Sequence, residues 1–325
     1  MSTESVSIIG ITLICWGILI AADAAVSAII YFIFGTSFRK AFVCGLISLA
    51  VPPSVIAYGA LIERNLYRVK KIELAFSELP ESFDGYRIVQ ISDIHARSFS
   101  SRPGSLEKAT RIIDGLDPDM IAFTGDLITI SPEETDRIRF HLSQMNGRDG
   151  VFSILGNHDY GIYSNVSTDR SLLAKDLIER EKELGWNVLL NESKAISRGK
   201  DTIYVIGVEN TSASEHFPSK GDLRKASMDT EGNFRILLTH DPTHWDMEVK
   251  GNGYPLTLSG HTHSMQFSLF GWSPCRYIFK QYKGLYSDGN EHLYINTGLG
   301  ETIFPARIGV RPEITLITLR TVSLE

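Results

Sequence analysis

Cysteine is scarce in this chain. Its 325 residues include three, Cys15, Cys44 and Cys275, too few and too scattered for a disulfide framework or a paired-cysteine zinc site. A basic excess is also missing: 32 Lys and Arg stand against 38 Asp and Glu, a formal charge of −6. Without surplus cations to neutralise a phosphate backbone, nucleic acid is not expected as a partner. No internal repeat or low-complexity segment stands out. Over part of the chain charge itself is absent: Asp23 is the one charged residue from 6 to 34, and there is none from 41 to 62.

A bilayer-spanning helix needs about 20 apolar residues, so both runs qualify as transmembrane helices, about 6–34 and 41–62. A cleaved leader fits poorly, because no basic segment precedes the first run, that run is too long, and a second follows. Pro52-Pro53 predicts a kink in the second span. Asp23 is expected to pair with a polar group on the other helix or to sit at a break. Arg39 and Lys40 lie between the spans, and Arg64, Arg68, Lys70 and Lys71 follow the second. The positive-inside bias then predicts a multi-pass protein of the inner (plasma) membrane with its main domain on the cytoplasmic side. Residues 1–68 read as the membrane region and 69–325 as one folded domain.

That domain reads as α/β. RIVQIS (87–92), MIAFT (120–124), VFSIL (151–155), RILLT (235–239) and PLTLS (255–259) are short apolar runs suited to strands buried on both faces. Helical patterns separate the first three. One covers 105–116. A second opens at Ser131 with Pro132 and Glu134, a capping-box pattern. A third helix is expected within 170–184, stopped by Gly185. IYVIGVE, LYINTG and EITLITL predict further strands, in a second sheet packed on the first. Residues 212–232 are polar and read as a surface loop with a short helix.

Each buried run is followed by ligand-type residues: Asp93 and His95, then Asp126, then Asn157, His158 and Asp159, then His240, then His261 and His263. Open α/β sheets place their sites at the C-terminal ends of strands. Taken singly, each of these residues is as well explained by a turn, a cap or a solvated loop. Their joint occurrence, each after an apolar strand, points to a metal site. Imidazole, carboxylate and amide oxygen suit borderline divalent cations. Even seven of these nine as direct ligands are too many for one tetrahedral zinc and suit two ions sharing a carboxylate.

The combination D-x-H, G-D, G-N-H-D, a lone His and G-H-x-H resembles the calcineurin-like metallophosphoesterase superfamily, over roughly 69–325. LPESFDGYRIVQISDIH, GHTH and the terminal RPEITLITL resemble its membrane-associated bacterial branch more than the Ser/Thr protein phosphatases, which lack the paired histidines. The resemblance implies a four-layer αββα sandwich of two mixed β-sheets flanked by helices, the metallophosphoesterase fold. It implies that Asp93, His95 and His263 hold one divalent ion, that Asn157, His240 and His261 hold the other, and that Asp126 bridges them. Residues i and i+2 of an extended segment point the same way, so His261 and His263 would each serve one ion of the pair. Manganese is the first expectation for the metal, with zinc, iron and magnesium as alternatives; affinity order alone favours zinc over manganese. The chemistry implied is attack on phosphorus by a hydroxide shared between the ions. His158 would act near the leaving group, with Asp159 orienting its ring.

Two departures stand out. Ser264-Met265 occupies the place where relatives often have Gly-Gly, which predicts a bulkier exit from the site. Arg97, after the first motif, is expected to contact phosphate. The aromatic group Phe267, Phe270, Trp272, Tyr277, Phe279 and Tyr282 reads as loop packing or as an interfacial belt for a lipid chain. His141, His216 and His292 receive no role, and His244 reads as a neighbour of the site. The function expected is a membrane-anchored hydrolase of a phosphodiester or pyrophosphate bond in a lipid or envelope precursor. A membrane-held protein phosphatase or nucleotide phosphodiesterase, a UDP-sugar-lipid pyrophosphatase specifically, and a metal-free scaffold are the alternatives.

Overall fold

The computed structural model describes residues 3–164 and 169–322. The helices are α1 (Thr3–Phe34), α2 (Phe38–Gly45), α3 (Val51–Leu61), α4 (Pro103–Gly115), α5 (Arg139–Ser143), α6 (Arg170–Glu183) and α7 (Leu223–Ala226). The strands are β1 (Arg68–Phe76), β2 (Arg87–Ile91), β3 (Met120–Phe123), β4 (Val151–Ser153), β5 (Asn187–Val188) and β6 (Glu192–Arg198). They continue with β7 (Asp201–Gly207), β8 (Phe234–Leu238), β9 (Leu256–Ser259), β10 (Gly284–Asp288), β11 (Glu291–Ile295) and β12 (Glu313–Thr321).

Two six-stranded sheets form, ordered β1-β12-β2-β3-β4-β5 and β10-β11-β9-β8-β7-β6. Each is mixed. In the first, β12 runs antiparallel to β2 while β2 to β5 are parallel. In the second, β7, β8, β9 and β11 are parallel and the outer β6 and β10 antiparallel. The apolar runs have no polar face because both faces are covered. Ile88, Met120, Ala122 and Phe152 point between the sheets and meet Val205, Ile236, Leu238 and Leu258. The alternate residues Val89, Ile121 and Phe123 meet Leu106, Ile113, Leu142 and Leu177 of the outer helices. Ile206, Leu237 and Leu293 pack under Leu223, Ala226 and Trp245 on the far side. Burying each such side chain stabilises the fold by about 1.5–3 kcal/mol. The result is the four-layer helix–sheet–sheet–helix sandwich.

The strands divide between the sheets differently from the sequence expectation. RILL and LTLS belong to the second sheet, and EITLITL lies in the first, beside β2. β1 holds the basic residues read as following the membrane span; it is an edge strand, with Leu74 and Phe76 buried and charge outside. The helix expected from Ser131 is broken into a 3-10 turn, Pro132–Thr135, and the short α5. Ser131 makes no side-chain cap, and Glu134 reaches back to the Thr129 and Ile130 N–H groups at 2.7 and 3.0 Å.

α1 and the run from α2 through α3 are each long and apolar enough to cross a membrane, and little of either is covered by protein. A 3-10 stretch, Leu46–Ala50, precedes the prolines, which sit in the first turn of α3 where a missing N–H costs least. Asp23 does not find a polar partner on the second run: Ser27 of its own helix donates to it at 3.5 Å, and its carboxylate abuts Gly45 of α2, where a Cβ would collide. Trp16 Nε1 donates to Leu49 O at 2.6 Å, joining the two runs.

Candidate metal centre

The segments leaving β2, β3, β4, β8 and β9 converge at one edge of the sandwich, and the sequence-predicted ligands come together there. Donor atoms of Asp93, His95 and His263 gather in one group, and those of Asp126, His240 and His261 in another, all within 4.8 Å of one another inside each group. His95, Asp126 and His158 form a third. Asp126 Oδ2 lies 3.7 Å from His95 Nε2 and 3.2 Å from His240 Nε2. His263 Nε2 is 3.1 Å from both His95 Nε2 and Asp93 Oδ1. Asn157, His158 and Arg97 line the adjoining cavity of about 460 Å³.

The backbone needed for this is strained. Asp93, His95, Asp126, His261 and His263 have φ of 49°, 42°, 58°, 72° and 47°, in the left-handed region that costs a non-glycine residue about 1–2 kcal/mol. Cross-links between the loops hold them there. Asp93 N donates to Gly125 O at 2.9 Å, His95 N to Asp126 O at 3.1 Å, and Gly300 N to Asp93 O at 2.8 Å. Glycine is required where loops touch: a Cβ on Gly156 would lie 2.2 Å from Asp126 Oδ1.

Ring orientation is fixed from behind. His95 Nδ1 faces Ile128 O at 3.1 Å and His240 Nδ1 faces Thr124 O at 2.7 Å. A carbonyl accepts, so each Nδ1 carries the proton and Nε2 points inward, the usual outer support of a metal-binding imidazole. Burial keeps His95 and His261 below the ordinary histidine value. Burial opposes charge on His240 as well, but Asp126 outweighs it and holds that imidazole up at about 10. Asp93 and Asp126 are both buried, which disfavours charge; His263 and His240 respectively more than offset this and keep them well below the carboxylate range.

His158 lines the cavity, but its ring is held by a different partner from the one expected. Its Nδ1 faces Thr129 O at 2.8 Å, its ring lies 4.3 Å from that of Tyr163, and its own N–H donates to Asp126 Oδ1 at 2.8 Å. Asp159 does not orient it. Asp159 accepts from the backbone N–H of Asp126, Gly156 and Ile128 at 2.8, 2.8 and 3.1 Å, so it shapes the loops that carry Asp126 and Asn157. Burial and the Asp126 charge push its carboxyl up to about 8, against the pull of those donors. His244 turns away, to Thr239 and Glu248.

Sequence reasoning missed Arg307. Its guanidinium is fully buried, donates to Thr297 O and Gly300 O, and stands 3.3 Å from His263 Nδ1. An arginine so far from any motif leaves no local signal. Tyr163, Phe217 and Arg64 of the cavity wall were missed as well.

The donor set fits divalent cations. Asn157 Oδ1 is buried and makes no hydrogen bond, a cost of about 1–3 kcal/mol unless a partner arrives, and Asp93 Oδ1 and His240 Nε2 face only His263 and Asp126, candidate ligands themselves. The calcineurin-like phosphoesterase family model matches residues 86–265, the stretch that runs from β2 through the paired histidines.

The chain belongs to the calcineurin-like phosphoesterase family.

This phosphoesterase is 30% identical over 291 residues to the uncharacterized metallophosphoesterase YkuE of Bacillus subtilis, covering 82% of this chain and 90% of that protein. It is 30% identical to a transmembrane protein with metallophosphoesterase domain from Danio rerio, over 87% of this chain and 63% of the relative. It is 28% identical to the UDP-2,3-diacylglucosamine pyrophosphatase LpxG of Chlamydia trachomatis, over 78% and 89%. As a calcineurin-like phosphoesterase it is a metal-dependent hydrolase with a candidate site for divalent metal.

Proposed function

We propose that this chain is a membrane-anchored phosphohydrolase that cleaves a phosphodiester or pyrophosphate bond of a lipid or envelope precursor with two divalent ions, manganese first. Residues 1–68 form the membrane region and 69–325 the hydrolase domain, on the cytoplasmic side of the inner membrane, which four basic residues after the second span favour over the two between the spans. Asp93, His95 and His263 would hold one ion, Asn157, His240 and His261 the other, and Asp126 would serve both. The observation that carries this reading is the position of Asp126 Oδ2, facing Nε2 of one histidine from each set.

When bound, such a pair lowers the pKa of water and binds phosphoryl oxygens as charge builds on them. The residues do the rest. Asp126 and the histidines fix where phosphorus stands. Arg97, at the cavity wall, contacts the phosphate. His158, held through Nδ1, presents Nε2 to the leaving oxygen. A lipid precursor is favoured by the mixed cavity wall, where Ile130, Phe217, Ile303 and Phe304 stand beside Arg64 and Arg97, and by the likeness to a diacylglucosamine pyrophosphatase.

The test is hydrolysis of phosphate monoesters, diesters and lipid pyrophosphates by the full chain, with manganese, zinc, iron and magnesium added singly. Diester or pyrophosphate turnover is expected, with monoesters slow; monoester turnover alone would favour a phosphatase. Asp126→Ala should abolish both activity and bound metal. His158→Ala should keep its metal and lose about 10²–10⁴-fold in kcat; full activity would remove His158 from the mechanism.

A further inference from the structure

The loop after the paired histidines has an unusual surface. Phe270 is 99% exposed, Tyr277 75% and Ile278 67%, with Leu269 and Trp272 beside them. A contiguous apolar patch on an exposed loop marks a contact with something other than water. The loop is well anchored at its base. Ser268 N donates to Ile308 O at 2.7 Å and Ile308 N to Gln266 O at 2.9 Å, Leu269 pairs with Trp272, and Ser273 Oγ donates to Ser264 O at 2.9 Å.

Its base joins the end of the second apolar run. Gln266 Nε2 donates to Phe304 O and Ala306 O, which ties the base of the loop to residues 302–308. That segment carries Ile303, 81% exposed. It rests on α3 so closely that a Cβ on Gly59 would lie 2.7 Å from Arg307 O, and Arg64 Nη1 donates to Pro305 O at 3.0 Å. Charge agrees with the placement. From 267 to 283 there is no acidic residue, and Arg276 and Lys283 are basic, while Lys280 is paired with Asp246 at 2.8 Å.

We propose that this loop, together with Ile303, docks into the interfacial layer of an anionic bilayer, a contact additional to the apolar helices. Trp and Tyr favour the headgroup level, and basic neighbours favour acidic lipid. Ile303 and Phe304 also line the catalytic cavity, so docking holds its mouth against the lipid surface. The inference rests on the membrane reading above and is independent of which bond is cleaved.

The test uses the full chain with Trp16→Phe, reconstituted in vesicles of phosphatidylcholine and phosphatidylglycerol carrying bromine near the headgroup end of the acyl chains. Trp186 and Trp245 are buried, so the change in emission reports Trp272. Flotation with the vesicles is expected, with Trp272 quenched by bromine, and Phe270→Asp with Ile278→Asp should abolish most of the quenching while hydrolysis of a soluble diester is retained. Failure to float overturns the membrane reading and the docking together. Flotation with Trp272 indifferent to bromine overturns the docking alone. So does shielding of Trp272 from acrylamide that grows with protein concentration, which would mean that a second copy covers the loop.

Discussion

At the scale of the residue, Asp126 and His240 form an ion pair that a cation must break. A metal needs the neutral imidazole, yet Asp126 holds His240 up at about 10, so at neutral pH the imidazole carries a proton that must leave when metal enters. Apparent affinity should therefore rise with pH between 6 and 8, about tenfold per pH unit for each proton released. Calorimetric titration with manganese in two buffers of different ionisation enthalpy would count that proton; a heat independent of buffer would show that none leaves. The candidate ligands were legible in the sequence because each follows a run of apolar β-formers. The partner of Asp159 was not. Adjacency suggested His158, but three backbone N–H groups from two loops converge on that carboxylate, and convergence of loops is a tertiary fact.

At the scale of the element, the turn after the paired histidines is the most strained piece of backbone around the site. Ser264, Met265 and Gln266 follow His263 with φ of 49°, 53° and 54°. Glycine adopts this region freely, which gives a physical reason for the Gly-Gly that the family resemblance leads one to expect there. Neither Ser264 nor Met265 lines the cavity, so the departure bears on backbone strain more than on substrate exit. Met265 is half exposed, and Met265→Gly should raise stability by about 0.5–1 kcal/mol, the strain relieved less the added freedom of the unfolded chain. Thermal unfolding of the two proteins in the same detergent would check this; an unchanged or lower midpoint would show that the strain is offset elsewhere. Strand positions were readable from continuous apolar runs, yet their division between two sheets was not, because pairing is decided by partners far along the chain. β1 escaped notice because Arg68 and Lys70 stand on the face that Ile72, Leu74 and Phe76 continue, so its alternation is apolar only in the second half, as suits an exposed edge.

At the scale of the whole molecule, Gly59 is where the apolar helices meet the hydrolase. Gly59→Leu would force side-chain atoms into Arg307 O and Ile308, and overpacking of this kind costs about 1–3 kcal/mol. Because Arg307 supports the carbonyls behind His263, this variant should lose both melting temperature and metal-activated turnover. Gly17→Leu, with nothing within 4 Å, should change neither, and equal losses in the two would place the effect in the helices themselves. The apolar runs were plain in the sequence; the contact between them and the hydrolase was not, since a lone glycine in a helix announces no neighbour. Arg64 follows α3 almost at once and already forms part of the cavity wall. On the proposed membrane reading the anchor acts as a ruler: the scissile bond would lie within a side chain's length of the place where the helix ends. On the proposed function, substrates whose phosphate sits at the headgroup plane would be reached without leaving the bilayer, those with a long polar spacer would overshoot, and after cleavage the water-soluble half would depart while the acylated half stayed behind.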